Sequence, residues 1–116
     1  MYEYKAKVLK IYDGDTCTLE FDLGFNIKFI EQVRLYGIDT PEIRTKNKKE
    51  KKLAYEARDF LRDMLLGETI EVRVHKEGKY GRYLVTILYD YKNINELLVE
   101  KGYARRYMGG KRTEWF

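Results

Sequence analysis

The chain has 116 residues, with 23 Lys plus Arg against 19 Asp plus Glu, a formal charge of +4, and 44% hydrophobic residues. That length holds one domain, 1–116, and the apolar fraction excludes a disordered chain. No apolar run reaches the roughly 18 residues that mark a transmembrane helix, and the lone cysteine, Cys17, excludes an internal disulfide.

Met1 to Lys10 alternates charged and apolar residues, without the continuous apolar stretch of a signal peptide. The expectation is a cytoplasmic protein, with a secreted one whose leader was removed as the alternative. Ala6 and Val8 mark a first strand, and Asp13-Gly14-Asp15 a tight turn that calls for its glycine. In Thr16 to Asp22, Cys17, Leu19 and Phe21 face one way and Thr16, Thr18, Glu20 and Asp22 the other, the pattern of a half-buried strand. Gly24 turns the chain into a third strand over 27–35. Leu53, Ala57, Phe60, Leu61, Met64 and Leu65 then share one helical face, and Gly67 ends that helix.

Ile70, Val72 and Val74 alternate with Thr69, Glu71 and Arg73 in a fourth strand. Val85, Ile87 and Tyr89 define a fifth. Asn93 caps a short helix, Ile94 to Lys101, with Glu96 three residues on and Gly102 at its end. The order β-β-β-α-β-β-α predicts a mainly β, α+β fold. Its architecture is a five-stranded Greek-key barrel of the oligonucleotide-binding (OB-fold) kind, with two packed helices.

Charge is concentrated. Segment 44–52 sets Arg44, Lys46, Lys48, Lys49, Lys51 and Lys52 against Glu50, and segment 101–112 carries Lys101, Arg105, Arg106, Lys111 and Arg112 without an acid. Each nets +5, so the rest of this +4 chain is −6. Two basic clusters on an acidic body fit a polyanion, nucleic acid first, though a solvated face has the same composition. Tyr103 and Tyr107 interleave with the second cluster, as stacking rings among cations would.

Three short stretches could carry chemistry. In Asp39-Thr40-Pro41-Glu42 the proline stiffens a turn that displays two carboxylates; a plain helix start or surface turn is the alternative. Asp13-Gly14-Asp15-Thr16 lacks the spacing of a calcium-binding EF-hand loop. Asp15 could still share a hard cation with Asp39, weakly held until phosphate and water complete its shell. Lys79-Tyr80-Gly81-Arg82 is either a solvated hairpin turn or a presenter of cations and a phenol to phosphate. Arg34, between Val33 and Leu35, would complete a guanidinium clamp with Arg82. His75 and Cys17 are assigned to structure.

In family order and spacing, four stretches together resemble the staphylococcal nuclease (thermonuclease) family. They are Ile11-Tyr12-Asp13-Gly14-Asp15-Thr16, Val33 through Glu42, Lys79-Tyr80-Gly81-Arg82, and Asn95 through Gly102. The resemblance implies Ca²⁺-dependent hydrolysis of DNA and RNA with low sequence specificity, favouring single-stranded or locally open substrate. Water attacks phosphorus and expels the 5′-oxygen, leaving 3′-phosphate and 5′-hydroxyl ends. By the same resemblance Asp15 and Asp39 are carboxylate ligands of Ca²⁺ and Thr40 ligates through its carbonyl. Glu42 is the general base, Arg34 and Arg82 bind the scissile phosphate, Lys79 and Tyr80 contact a terminal phosphate, and Tyr107 stacks on a base. A glutamate is a weak base at neutral pH, so orienting water is the larger part of that role.

Longer family members have a third, C-terminal helix, expected here to be absent or shortened. A monomer is the default expectation. The competing reading is a non-catalytic OB-fold module that binds nucleic acid or protein; such modules lose the carboxylates or arginines that this chain keeps. If segment 44–52 meets polyanion, changing Lys48, Lys49, Lys51 and Lys52 together to Gln should reduce the salt-dependence slope of single-stranded DNA binding by up to about 3. An unchanged slope in salt titrations would reduce the segment to a solvated surface.

Overall fold

The computed structural model of the chain describes residues 2–77 and 81–116, leaving the side chains of Lys76 and Glu77 undescribed. Five long strands form as the alternation predicts: β1 (Tyr2–Ile11), β2 (Thr16–Asp22), β3 (Lys28–Leu35), β5 (Thr69–Glu77) and β6 (Tyr83–Tyr89). Three two-residue bridges, β4 (Ile38–Asp39), β7 (Lys92–Asn93) and β8 (Arg105–Arg106), lie below the length at which a period is legible. The helices are α1 (Lys48–Leu65) and α2 (Ile94–Glu100). No helix among the described residues is long and apolar enough to cross a membrane.

The strands are ordered β3-β2-β1-β5-β6, and β3 also pairs in parallel with β6. That last pairing, Val33↔Tyr83 through Leu35↔Val85, closes the sheet into the expected five-stranded barrel. Closure removes the sheet edges that would otherwise invite pairing with other chains. Inside lie Val8, Leu19, Val33, Leu35, Val72, Val85 and Ile87, capped by Leu61 and Leu65 of α1 and Ile94 and Leu98 of α2.

Two bulges shape the barrel. The β1–β2 register slips between Val8 and Lys10, so Leu9 is the extra residue. A period-2 strand flips phase at such a point. Ala6 and Val8 therefore point inward before the bulge and Ile11 after it. The second slip, between Val74 and Lys76, makes His75 the extra residue of β5. Its Nε2 lies 2.6 Å from the Thr86 hydroxyl and its ring stacks at 4.0 Å on Tyr36, which matches its structural assignment.

The face of α1 turns slightly from the expected one. Ala54, Ala57, Leu61 and Leu65 are its buried residues, while Leu53 is only half-buried. Ala54 is fully buried, and a side chain as large as leucine would need room that this small residue does not take. Asn47 caps α1 through the backbone N–H groups of Lys49 and Glu50. Segment 44–52 is therefore part loop and part first helical turn. Lys48, Lys49, Lys51 and Lys52 are exposed at the start of the helix and oppose its dipole at a local cost. Asn93 caps α2 as expected, but Glu96 pairs with Arg106.

Closure is fastened by one side chain. Asn95, 3% exposed, accepts from the Ile87 N–H and donates to the carbonyls of Tyr36 and Val85. It bridges the seam between the end of β3 and β6. An Asn95→Ala variant strands the Ile87 N–H and the Tyr36 carbonyl, each costing about 1–3 kcal/mol when buried and unpaired, while the Val85 carbonyl keeps the Tyr36 N–H. Urea unfolding should show a loss above about 2 kcal/mol, and a loss under about 1 kcal/mol would remove Asn95 from the closure.

Candidate active site

Residues far apart in sequence gather where the start of β2 meets the end of β3. Asp15 directly precedes β2, and Thr16 pairs with Arg34 across the β2–β3 ladder. The Leu35 N–H donates to the Asp15 carbonyl at 2.9 Å, fixing the aspartate beside that strand. The Asp13 carboxylate accepts from the Asp15 N–H and shapes the turn. Thr16, expected on the wet face, is buried, because its hydroxyl donates to Asp15 Oδ1 at 3.1 Å. The Thr40 N–H donates to Asp15 Oδ2 at 3.2 Å. Both carboxylate oxygens of Asp15 are thus held from the protein side.

Asp39 lies opposite on β4 and is only 1% exposed. Arg34 Nη2 sits 3.5 Å from Asp15 Oδ2 and 3.5 Å from Asp39 Oδ1. At that distance it makes neither hydrogen bond, so this buried nitrogen still lacks an acceptor. Arg105, paired with Asp39 across the β4–β8 bridge, donates through Nε and Nη2 to Asp39 Oδ2 at 3.2 and 3.1 Å. Arg112 reaches the same carboxylate, with Nη2 3.0 Å from Oδ1 and Nε 3.2 Å from Oδ2. It also donates to the Thr40 carbonyl and to Glu42 Oε1. Burial lowers the pKa of the Arg112 guanidinium, but the charges of Asp39 and Glu42 outweigh it and hold the proton above the ordinary range.

Glu42 stands on an exposed loop, and its backbone N–H donates to Glu50 in the first turn of α1. Thr45 also donates to Glu50, so that helix end holds the loop. Tyr107 belongs to this neighbourhood: Arg34 lies over its ring at 5.9 Å, and its N–H donates to the Gly37 carbonyl. Arg82 immediately precedes β6, next to β3, and none of its described contacts reaches the carboxylates. Lys79 and Tyr80 lie outside the described residues.

Two neighbouring groups feel the acidic site. Burial, then the charge of Asp15, pushes the Asp13 carboxyl up to about 7. Burial first, with both aspartates adding, pushes the Cys17 thiol up to about 12, which makes it inert and fits its assignment to the core.

The donors suit a hard cation. Asp15, Asp39 and the Thr40 carbonyl offer oxygen alone, the ligand chemistry of calcium or magnesium. Among the described residues no three His, Cys, Asp or Glu side chains converge as a metal cluster. Water or substrate oxygens would therefore have to complete a shell of six to eight ligands.

The profile of the staphylococcal nuclease homologue family matches residues 32–114. The chain belongs to the staphylococcal nuclease family. A thermonuclease of Staphylococcus hyicus is 31% identical across 89% of this chain and 59% of its own. An uncharacterized protein of Methanocaldococcus jannaschii is 33% identical across 90% of this chain and 60% of its own. A staphylococcal-like nuclease of Arabidopsis thaliana is 36% identical across 72% of this chain but only 24% of its own. The chain thus spans well under two thirds of the length of these relatives.

Sequence reasoning missed three residues of this nuclease-family site. Arg105 and Arg112 were visible only as cluster charge, and nothing in a linear pattern pairs them with Asp39, 66 and 73 positions away. Glu50 was visible only as the single acid of a basic segment. The glycine of Asp13-Gly14-Asp15 also has a different reason from the expected one. Gly14 is not among the positive-φ glycines, so the turn does not need its freedom. A Cβ there would stand 2.8 Å from Thr40 Cγ2 and 3.1 Å from Ala57 Cβ. Gly14→Ala should displace Thr40 and cost about 1–3 kcal/mol through overpacking. Thermal melting checks the cost, and an unshifted melt would mean that Thr40 moves aside freely.

Proposed function

We propose that the protein is a calcium-dependent nuclease that hydrolyses DNA and RNA with little sequence preference, leaving 3′-phosphate and 5′-hydroxyl ends. Family membership supports the nuclease class. The observation that carries the reading furthest is the buried Arg34 nitrogen between Asp15 and Asp39, still short of an acceptor. A phosphodiester oxygen is an acceptor of the right charge for it.

In this reading Asp15, Asp39 and the Thr40 carbonyl hold Ca²⁺, which supplies a fixed positive charge against the charge that builds on phosphate oxygens. Arg34 and Arg82 bind the scissile phosphate with planar forks that a lysine cannot reproduce. Their charge is permanent and held by the strands, so little reorganisation is needed as negative charge develops. The Glu42 carboxylate orients the attacking water and accepts its proton at an oxygen. Tyr107, beside Arg34, offers a ring for a base, and Lys79 and Tyr80 bind a terminal phosphate. The exposed lysines of α1 hold more distant phosphates of DNA or RNA.

Single-stranded DNA incubated with Ca²⁺ should be cleaved to 3′-phosphate ends, and EDTA should abolish cleavage. Arg34→Ala and Glu42→Ser should each lower the rate by about 100-fold or more while leaving circular dichroism unchanged. Binding without cleavage would move the protein to the OB-fold binding-module reading. Near-normal rates in both variants would overturn the site assignment.

A further inference from the structure

The acids of this site are already neutralised from within. Three carboxylates, Asp15, Asp39 and Glu42, face three guanidiniums, Arg34, Arg105 and Arg112. The arginines differ in how they are held. Arg34 belongs to β3 and Arg105 to the β4–β8 bridge, so the sheet fixes both. Arg112 stands on a tail, 107–116, with no regular secondary structure. Yet it spans Asp39, the Thr40 carbonyl and Glu42 at once.

We propose that Arg112 competes with a divalent cation for the oxygens of Asp39 and Thr40, so that the tail is a strap released when the cation binds. This rests on the nuclease reading of the site and adds its regulation. Two like charges sharing one buried carboxylate repel strongly, because little water lies between them to screen the interaction. A divalent ion beside three guanidiniums would leave the site overcharged. Of these three described guanidiniums, Arg112 is the one whose segment lies outside the sheet and can move without breaking a ladder hydrogen bond. Its departure leaves Arg34 and Arg105 in place to meet the phosphate.

Apart from Arg112, a few contacts hold the strap, and none is a backbone–backbone ladder bond. Arg105 donates to the Thr113 hydroxyl and carbonyl, and its guanidinium lies 4.3 Å from the Trp115 ring. The Tyr107 hydroxyl donates to the Gly110 carbonyl. The Trp115 indole N–H is buried without a partner, so its seat is not optimised. A buried unpaired donor favours an alternative position in water.

Trp115 is the single tryptophan of the chain, and it reports on the strap without reference to activity. In the unaltered protein, calcium titration should shift Trp115 emission to the red and raise its quenching by acrylamide. Arg112→Gln should already emit to the red in EDTA, change little with calcium, and bind calcium about tenfold more tightly by calorimetry. Tenfold corresponds to a strap open about a tenth of the time in the absence of metal. Equal calcium affinity in the two proteins with an unmoved Trp115 spectrum would overturn the strap and leave the metal site standing. Calcium binding to neither protein would overturn both the strap and the metal reading.

Discussion

A buried carboxylate governs this molecule more than any single apolar contact. Asp39 is almost wholly removed from water, and an isolated charge there would be prohibitively costly. The chain answers with cations from three places: β3, the β8 bridge and the tail. Each of those segments is consequently drawn to one spot. The two-residue β4–β8 ladder exists beside that ion pair, and the tail, otherwise without a partner in the sheet, folds back across it. Removing a partner from such a cluster generally costs more than the cluster contributes, because the remaining charge stays buried.

The barrel graduates rigidity around that point. Asp15, Arg34 and Asp39 stand on or next to paired strands, where backbone hydrogen bonds fix their origin. Glu42 projects from an exposed loop restrained by Thr45, Glu50 and Arg112. Asp15, Arg34 and Asp39 are therefore preorganised, and in the proposed reading the group that meets water is the adjustable one. That division suits chemistry in which phosphate is clamped and a nucleophile is steered.

Much of the fold was legible because alternation is a local property. Cys17, Leu19 and Phe21 point inward as a period of two requires, and Asn93 and Gly102 bracket α2 as capping requires. What failed was also local in cause. The bulges at Leu9 and His75 interrupt the period by one residue, and no residue type at either position announces it. Thr16 is polar but inside, because its hydroxyl serves Asp15. At the candidate site, Asp15, Arg34, Asp39, Thr40 and Glu42 stand out in the sequence through the order of motifs, not through periodicity. The partners that hold them, Arg105, Arg112 and Glu50, needed three dimensions. Arg82 stands just before β6, the strand that pairs with β3.

The Asn95 clamp also bears on how the molecule is made. The seam it fastens joins residues about fifty positions apart in the chain, and such non-local pairings form late because loop closure must come first. The clamp itself comes from α2, after every long strand. A chain emerging from the ribosome can therefore assemble β1, β2 and β3 as a meander. It cannot satisfy the Tyr36 carbonyl or the Ile87 N–H until Asn95 has followed. Until then the edges of β3 and β6 stand open, and the half-made barrel is the species that chaperones would meet.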